Sequence, residues 1–135
     1  MTAAERTALA AFRAGTLSTD AFHHADHVRM AWVYLREFGF DEALRQFVDD
    51  LKRFAVAKGV PGLYHATITV AYLSLLAERV ATTPIAEWEA FAAAHPDLLQ
   101  WKPGVLDGFY SPERLWSPAA RTQFLMPDRV PMSTT

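Results

Sequence analysis

Cysteine is absent from the 135 residues. That single absence excludes disulfides, thiolate metal sites, iron–sulfur clusters and cysteine nucleophiles. A surplus of basic charge is also missing: 13 Lys and Arg against 15 Asp and Glu give a net charge of −2, whereas a nucleic-acid binder normally presents a basic face. No apolar run approaches the ~20 residues that span a bilayer. The longest, over 68–77, contains Thr69 and Ser74. Residues Met1 to Arg6 lack the basic start and apolar core of a secretory signal, so the expectation is a soluble cytoplasmic protein with neither nucleic acid nor membrane as partner. Gly-rich phosphate loops, Walker patterns and the Gly-x-Ser-x-Gly elbow are missing too.

Half of the residues (51%) are hydrophobic, enough for one sizeable core in a chain of single-domain length. The apolar residues recur at helical spacing, and strand alternation is not evident. Thr2-Ala3-Ala4-Glu5 is a capping-box pattern opening a helix that turns Leu9 and Phe12 inward, and Gly15 is its natural stop. A second helix is predicted from His23 or His24 to about Phe38, with Val28, Ala31, Trp32 and Leu35 as its apolar stripe. Asp41 caps a third, carrying Leu44, Phe47, Val48, Leu51 and Phe54. After the break at Gly59-Val60-Pro61-Gly62, a fourth and most apolar helix covers about 63–80. Thr83-Pro84 opens a fifth that ends at Pro96.

Five of the eight prolines lie between 96 and 127, and Ser111-Pro112 and Ser117-Pro118 are further cap-plus-proline starts. The expected architecture is therefore all-α: a compact bundle of about five main helices, with a Pro-rich C-terminal segment of short helices packed across it. One domain is expected over 1–130, with a disordered tail over 131–135.

Histidine is the remaining source of chemistry. Three of the five histidines fall at positions 23, 24 and 27. At about 100° per residue, His24 lies in the middle of the buried stripe and His27 beside it, while His23 is marginal and Asp26 faces away. On the fourth helix His65 heads a second buried stripe with Thr69 and Tyr72. In an antiparallel bundle the second and fourth helices run parallel and their starts adjoin. His24, His27 and His65 are then candidate ligands of one ion: Zn, Fe or Cu. Thr69, Tyr72 and Trp32 would line a pocket for a small organic substrate or O₂, with His23 on its margin. Asp26 reads first as an N-terminal cap and dipole partner of the second helix, and second as a partner that orients a ligating histidine. The ion would act as Lewis acid or redox centre. Glu37, Glu42, Asp49, Asp50 and Glu78 are all expected on outward faces, which disfavours a carboxylate-bridged di-metal centre. Two other readings stand beside this one. The first is a non-metal small-molecule module, or a haem-binding one with a single histidine ligand. The second is a structural or partner-binding helical protein with a buried histidine network.

Two segments carry a resemblance: Phe22-His23-His24-Ala25-Asp26-His27-Val28-Arg29-Met30-Ala31-Trp32 and Tyr64-His65-Ala66-Thr67-Ile68-Thr69. Together with Phe109-Tyr110-Ser111 and Met126-Pro127-Asp128, they resemble a family of small uncharacterised all-helical bacterial proteins with Phe-x-His-x-Asp-His and Tyr-His-x-Thr-Ile-Thr motifs. The motif positions match His24, Asp26, His27, His65, Thr67 and Thr69. Members of that family often carry Glu where this chain has Ala66. The resemblance implies a helical fold and brings no assigned activity.

Overall fold

The computed structural model describes residues 1–101 and 104–130; the expected tail over 131–135 lies outside them. The described residues form helices and turns and no strand, as the periodicity predicts. Helix α1 (Ala3–Ala14) starts at the expected capping box: the Thr2 hydroxyl accepts from the Glu5 N–H at 3.1 Å, and the Glu5 carboxylate accepts from the Thr2 N–H at 2.9 Å. It ends at Gly15, whose φ of +74° lets its N–H reach the Ala11 and Phe12 carbonyls. A Cβ there would lie 2.8 Å from the Ala57 side chain, so this glycine also permits close approach of the next element.

Helix α2 (His24–Ala57) combines the two helices expected over 24–38 and from Asp41 onward. No loop separates them. The chain reverses at Gly39, with φ +75° and ψ 172°, a backbone region that is essentially restricted to glycine. Asp41 is accordingly an exposed residue inside α2 and not a separate cap. The two halves fold back on each other, bringing Phe22 to 5.0 Å from Phe54 and Tyr34 to 5.2 Å from Phe47. Phe12, with no exposure, is inserted between them and touches Phe22, Tyr34, Phe47 and Phe54. This aromatic centre anchors α1 to the α2 hairpin.

One acid departs from its expected outward face. Asp50 is buried, accepting from the Tyr34 hydroxyl at 2.6 Å, from Arg13 Nε at 3.1 Å and from Arg53 at 2.8 Å. A carboxylate is tolerated there because its oxygens are matched by donors. Glu5 is likewise buried and pairs with Arg29 at 3.3 Å.

Helix α3 (Ala66–Thr82) begins three residues later than expected, because Pro61–Leu63 forms a separate 3-10 turn. Helix α4 (Trp88–Ala94) starts well beyond Pro84, with Glu87 before its first turn and no side-chain cap. Its Phe91 is fully packed beneath Trp32 and Trp88. The two serine-proline starts form as predicted: α5 (Pro112–Leu115) is capped by Ser111 and α6 (Pro118–Thr122) by Ser117. The segment around them is tied down by polar contacts. The Thr67 hydroxyl donates to the Gln123 carbonyl at 2.9 Å and accepts from the Leu125 N–H at 3.1 Å. Asp128 accepts from both the Ser111 N–H and its hydroxyl. The C-terminal segment thus closes one side of the helical core.

Candidate functional site

A cavity of about 590 Å³ opens between α2, α3 and the C-terminal segment. It is bounded by both ends of the α2 hairpin, because the fold-back places Phe22, His24, His27 and Val28 opposite Leu51, Phe54, Ala55 and Lys58. The third wall is α3 and the turn before it, with Tyr64, His65, Ile68, Thr69, Tyr72, Leu73 and Leu76. Leu73 and Leu76 are fully buried at its base, whereas Val60, Leu63, Trp101 and Trp116 are exposed at its rim. Among the described residues no Asp or Glu lines it.

Three predicted histidines therefore meet the same space, but each holds a different position. His65 is the N-cap of α3. Its Nδ1 accepts from the Ile68 N–H at 3.1 Å, which requires that nitrogen to be unprotonated. Its Nε2 lies 2.7 Å from the Leu115 carbonyl, which can only accept, so Nε2 carries the proton. The imidazole is thereby fixed as one neutral tautomer with both nitrogens engaged. Burial lowers its pKa, opposed by the bond to Leu115.

His24, in the first turn of α2, donates from Nε2 to the Leu98 carbonyl at 3.0 Å, leaving Nδ1 as its remaining acceptor. Its ring packs edge-on against Tyr72 at 5.1 Å and lies tilted against Trp101 at 5.0 Å. Burial lowers its pKa as well. His27 stacks on Phe22 with ring centres 3.8 Å apart. Burial, followed by the neighbouring His24, pushes its pKa down to about 4, against weaker support from the Phe22 backbone and Asp26. All three rings are neutral near pH 7, which suits an apolar enclosure.

The expectation for this site is one ion held by His24, His27 and His65. Among the described residues no group of three His, Cys, Asp or Glu is arranged to hold a metal. The parallel arrangement is present, but its register is offset. His24 faces Tyr72, which is seven residues along the chain from His65, about 10 Å at the α-helical rise. His65 would also have to release Ile68 or Leu115 to offer a lone pair or a deprotonated nitrogen.

The surrounding residues divide in the same way. Thr69 and Tyr72 line the cavity as expected. The Thr69 hydroxyl donates to the His65 carbonyl at 2.7 Å and so retains acceptor capacity. The Tyr72 hydroxyl is buried beside the Gly104 backbone and makes no hydrogen bond of good geometry among the described residues. Burial raises its pKa to about 12. Trp32 does not reach the cavity: its stripe position is occupied by core packing against Trp88 and Phe91. Asp26 caps the start of α2 as expected, accepting from the His23 N–H at 2.9 Å, and His23 itself is exposed. Arg29 is held by Glu5 and is not at the cavity.

Sequence reasoning missed Lys58, Arg121 and Trp116 as cavity residues. No local pattern marks them; they arrive through the hairpin and the C-terminal segment folding onto the same opening. Comparison with protein-family models, curated proteins and solved structures gives no match to this chain.

Proposed function

We propose that this protein binds a small, mainly apolar molecule in the cavity between α2 and α3. The observation that carries this reading is the cavity itself. At about 590 Å³ it falls within the ordinary range of small-ligand sites, and it combines aromatic and aliphatic walls with a few convergent polar groups. The apolar body of a ligand would rest on Phe22, Phe54, Leu73 and Leu76. The Thr69 hydroxyl and His24 Nδ1 would supply acceptors, and the Tyr72 phenol a donor. Helices, not loops, carry these groups, so the site is supported by rigid elements.

No metal is needed for this reading, and the neutral, backbone-tied state of His65 favours it over a metal-centred one. The experiment is a fluorescence titration with N-phenyl-1-naphthylamine, an uncharged apolar probe. Saturable enhancement at one site is expected. It should be lost when Ala31→Phe or Ala55→Phe fills the cavity while circular dichroism still shows a folded helical protein. Absence of saturable binding would overturn the reading. Elemental analysis and an absorption spectrum of untagged protein complete the test: one equivalent of metal lost on His65→Ala, or a Soret band, would replace it with a metal or haem site.

A further inference from the structure

We infer that the ligand is a monocarboxylic acid with an apolar body, bound tail-inward with its carboxylate at the cavity mouth. This rests on the reading of the cavity as a small-molecule site and adds the charge and orientation of the occupant.

The mouth is asymmetric in charge. Among the described residues the lining includes two cations, Lys58 and Arg121, and no acid. Both sit at the loop over 59–63: Lys58 ends α2 immediately before it, and Arg121 of α6 donates to the Gly62 carbonyl at 3.2 Å. Three other partly buried arginines pair with acids, as Arg13–Asp50, Arg29–Glu5 and Arg79–Asp97, while Arg114 donates to the Met126 carbonyl. Among the described residues, neither Lys58 nor Arg121 has a carboxylate within 4.0 Å. Lys58 instead lies over the Phe54 ring at 5.5 Å, and Arg121 lies 6.0 Å from the centre of the Trp116 ring. Each cation is therefore half-buried at an apolar opening with its strongest natural counter-charge missing.

The interior sets the orientation. Its base is formed by fully buried leucines and by aromatic rings, and among the described residues no cation lies there to offset the desolvation of a carboxylate. An anionic head remains at the rim, where Arg121 offers a planar pair of N–H donors and Lys58 a mobile ammonium. The exposed Trp116 and Leu63 flank the same opening and would cover the first carbons of the tail. A cationic amphiphile meets repulsion at this rim, and a neutral one gains no ion pair.

The experiment measures displacement of N-phenyl-1-naphthylamine by decanoate, 1-decanol, decyltrimethylammonium and 2-naphthoate. Decanoate is expected to displace the probe at least tenfold more effectively than decanol, although decanol is the more hydrophobic. Decyltrimethylammonium should be the weakest of the three decyl compounds. The margin should shrink in 0.5 M NaCl. Lys58→Gln with Arg121→Gln should reduce decanoate to the level of decanol. The charge-retaining pair Lys58→Arg with Arg121→Lys should keep most of the preference, and Arg45→Ala, at an exposed residue outside the cavity lining, should leave it intact. The ratio of 2-naphthoate to decanoate distinguishes an aromatic from an aliphatic acid. Probe binding with equal displacement by decanoate and decanol would overturn the carboxylate assignment while leaving the cavity reading in place. Failure of the probe to bind would remove both.

Discussion

The His65 imidazole donates from Nε2 to the Leu115 carbonyl at 2.7 Å while its Nδ1 accepts from the Ile68 N–H. One ring thus caps α3 and joins it to α5, 50 residues further along the chain. Its position in a buried stripe reads equally as a ligand or as a strut, and these two bonds support the strut.

His65→Ala should therefore destabilise the protein by about 2–4 kcal/mol, since it leaves a buried carbonyl and a helix-end N–H without partners. Urea denaturation of the two proteins measures the loss. Nitrogen-15 shifts of the ring give an independent check and should report the neutral Nε2–H tautomer at pH 7. A change below about 0.5 kcal/mol would mean that the cap is dispensable.

Stability should fall as the pH drops from neutrality toward 4. His27 has its pKa pushed down to about 4 by burial, so the unfolded chain takes up a proton between pH 6.5 and 4 that the folded one refuses. The stability is fully present above the unfolded value and is lost through that window, by about 3 kcal/mol at its lower end. His24 and His65, also lowered, act in the same direction. Chemical denaturation at pH 7.5 and pH 4.5 gives the slope, and His27→Gln should flatten it.

Asp50→Ala should be among the most damaging single changes, at about 3–5 kcal/mol, because it leaves the buried Tyr34 hydroxyl and Arg13 without their acceptor. Tyr34→Phe should cost less, about 1 kcal/mol, as Asp50 keeps its two arginines. Comparable losses for both variants would contradict this ordering. Thermal melts of the pair decide it.

Gly39→Ala isolates the backbone cost of the hairpin. A Cβ at that position meets nothing within 4 Å, so any loss comes from the φ of +75° with ψ 172° alone. Destabilisation of about 1–3 kcal/mol is expected. A neutral result by differential scanning calorimetry would mean that the two halves of α2 can meet in another geometry.

The fold was readable where a single residue type settles the matter locally. The Thr2–Glu5 box, the Gly15 stop and the two serine-proline starts all depend on side chains within four residues of each other. The reversal at Gly39 was not, because an Asp41 cap and a glycine hinge leave the same apolar spacing on either side. Pro84 misled for a related reason: its fixed φ permits a helix start but does not compel one. Helical projection, joined to the parallel run of the second and fourth helices in a bundle, brought His24, His27, His65, Thr69 and Tyr72 to one cavity. It could not supply the register that sets His24 against Tyr72, nor could it see that Trp32 packs on α4. Asp50 shows the remaining gap: its burial depends on Arg13 and Tyr34, which are 37 and 16 residues away in sequence.

The central claim is that the space between α2 and α3 is a ligand site. Its most direct test is two-dimensional amide and methyl NMR during titration with N-phenyl-1-naphthylamine. The account predicts saturable shifts confined to the cavity walls, at Ile68, Thr69, Leu73, Leu76, Val28 and Ala55, and none around Trp32 and Trp88. Unshifted cavity resonances, or changes centred on the Trp32 cluster, would contradict it.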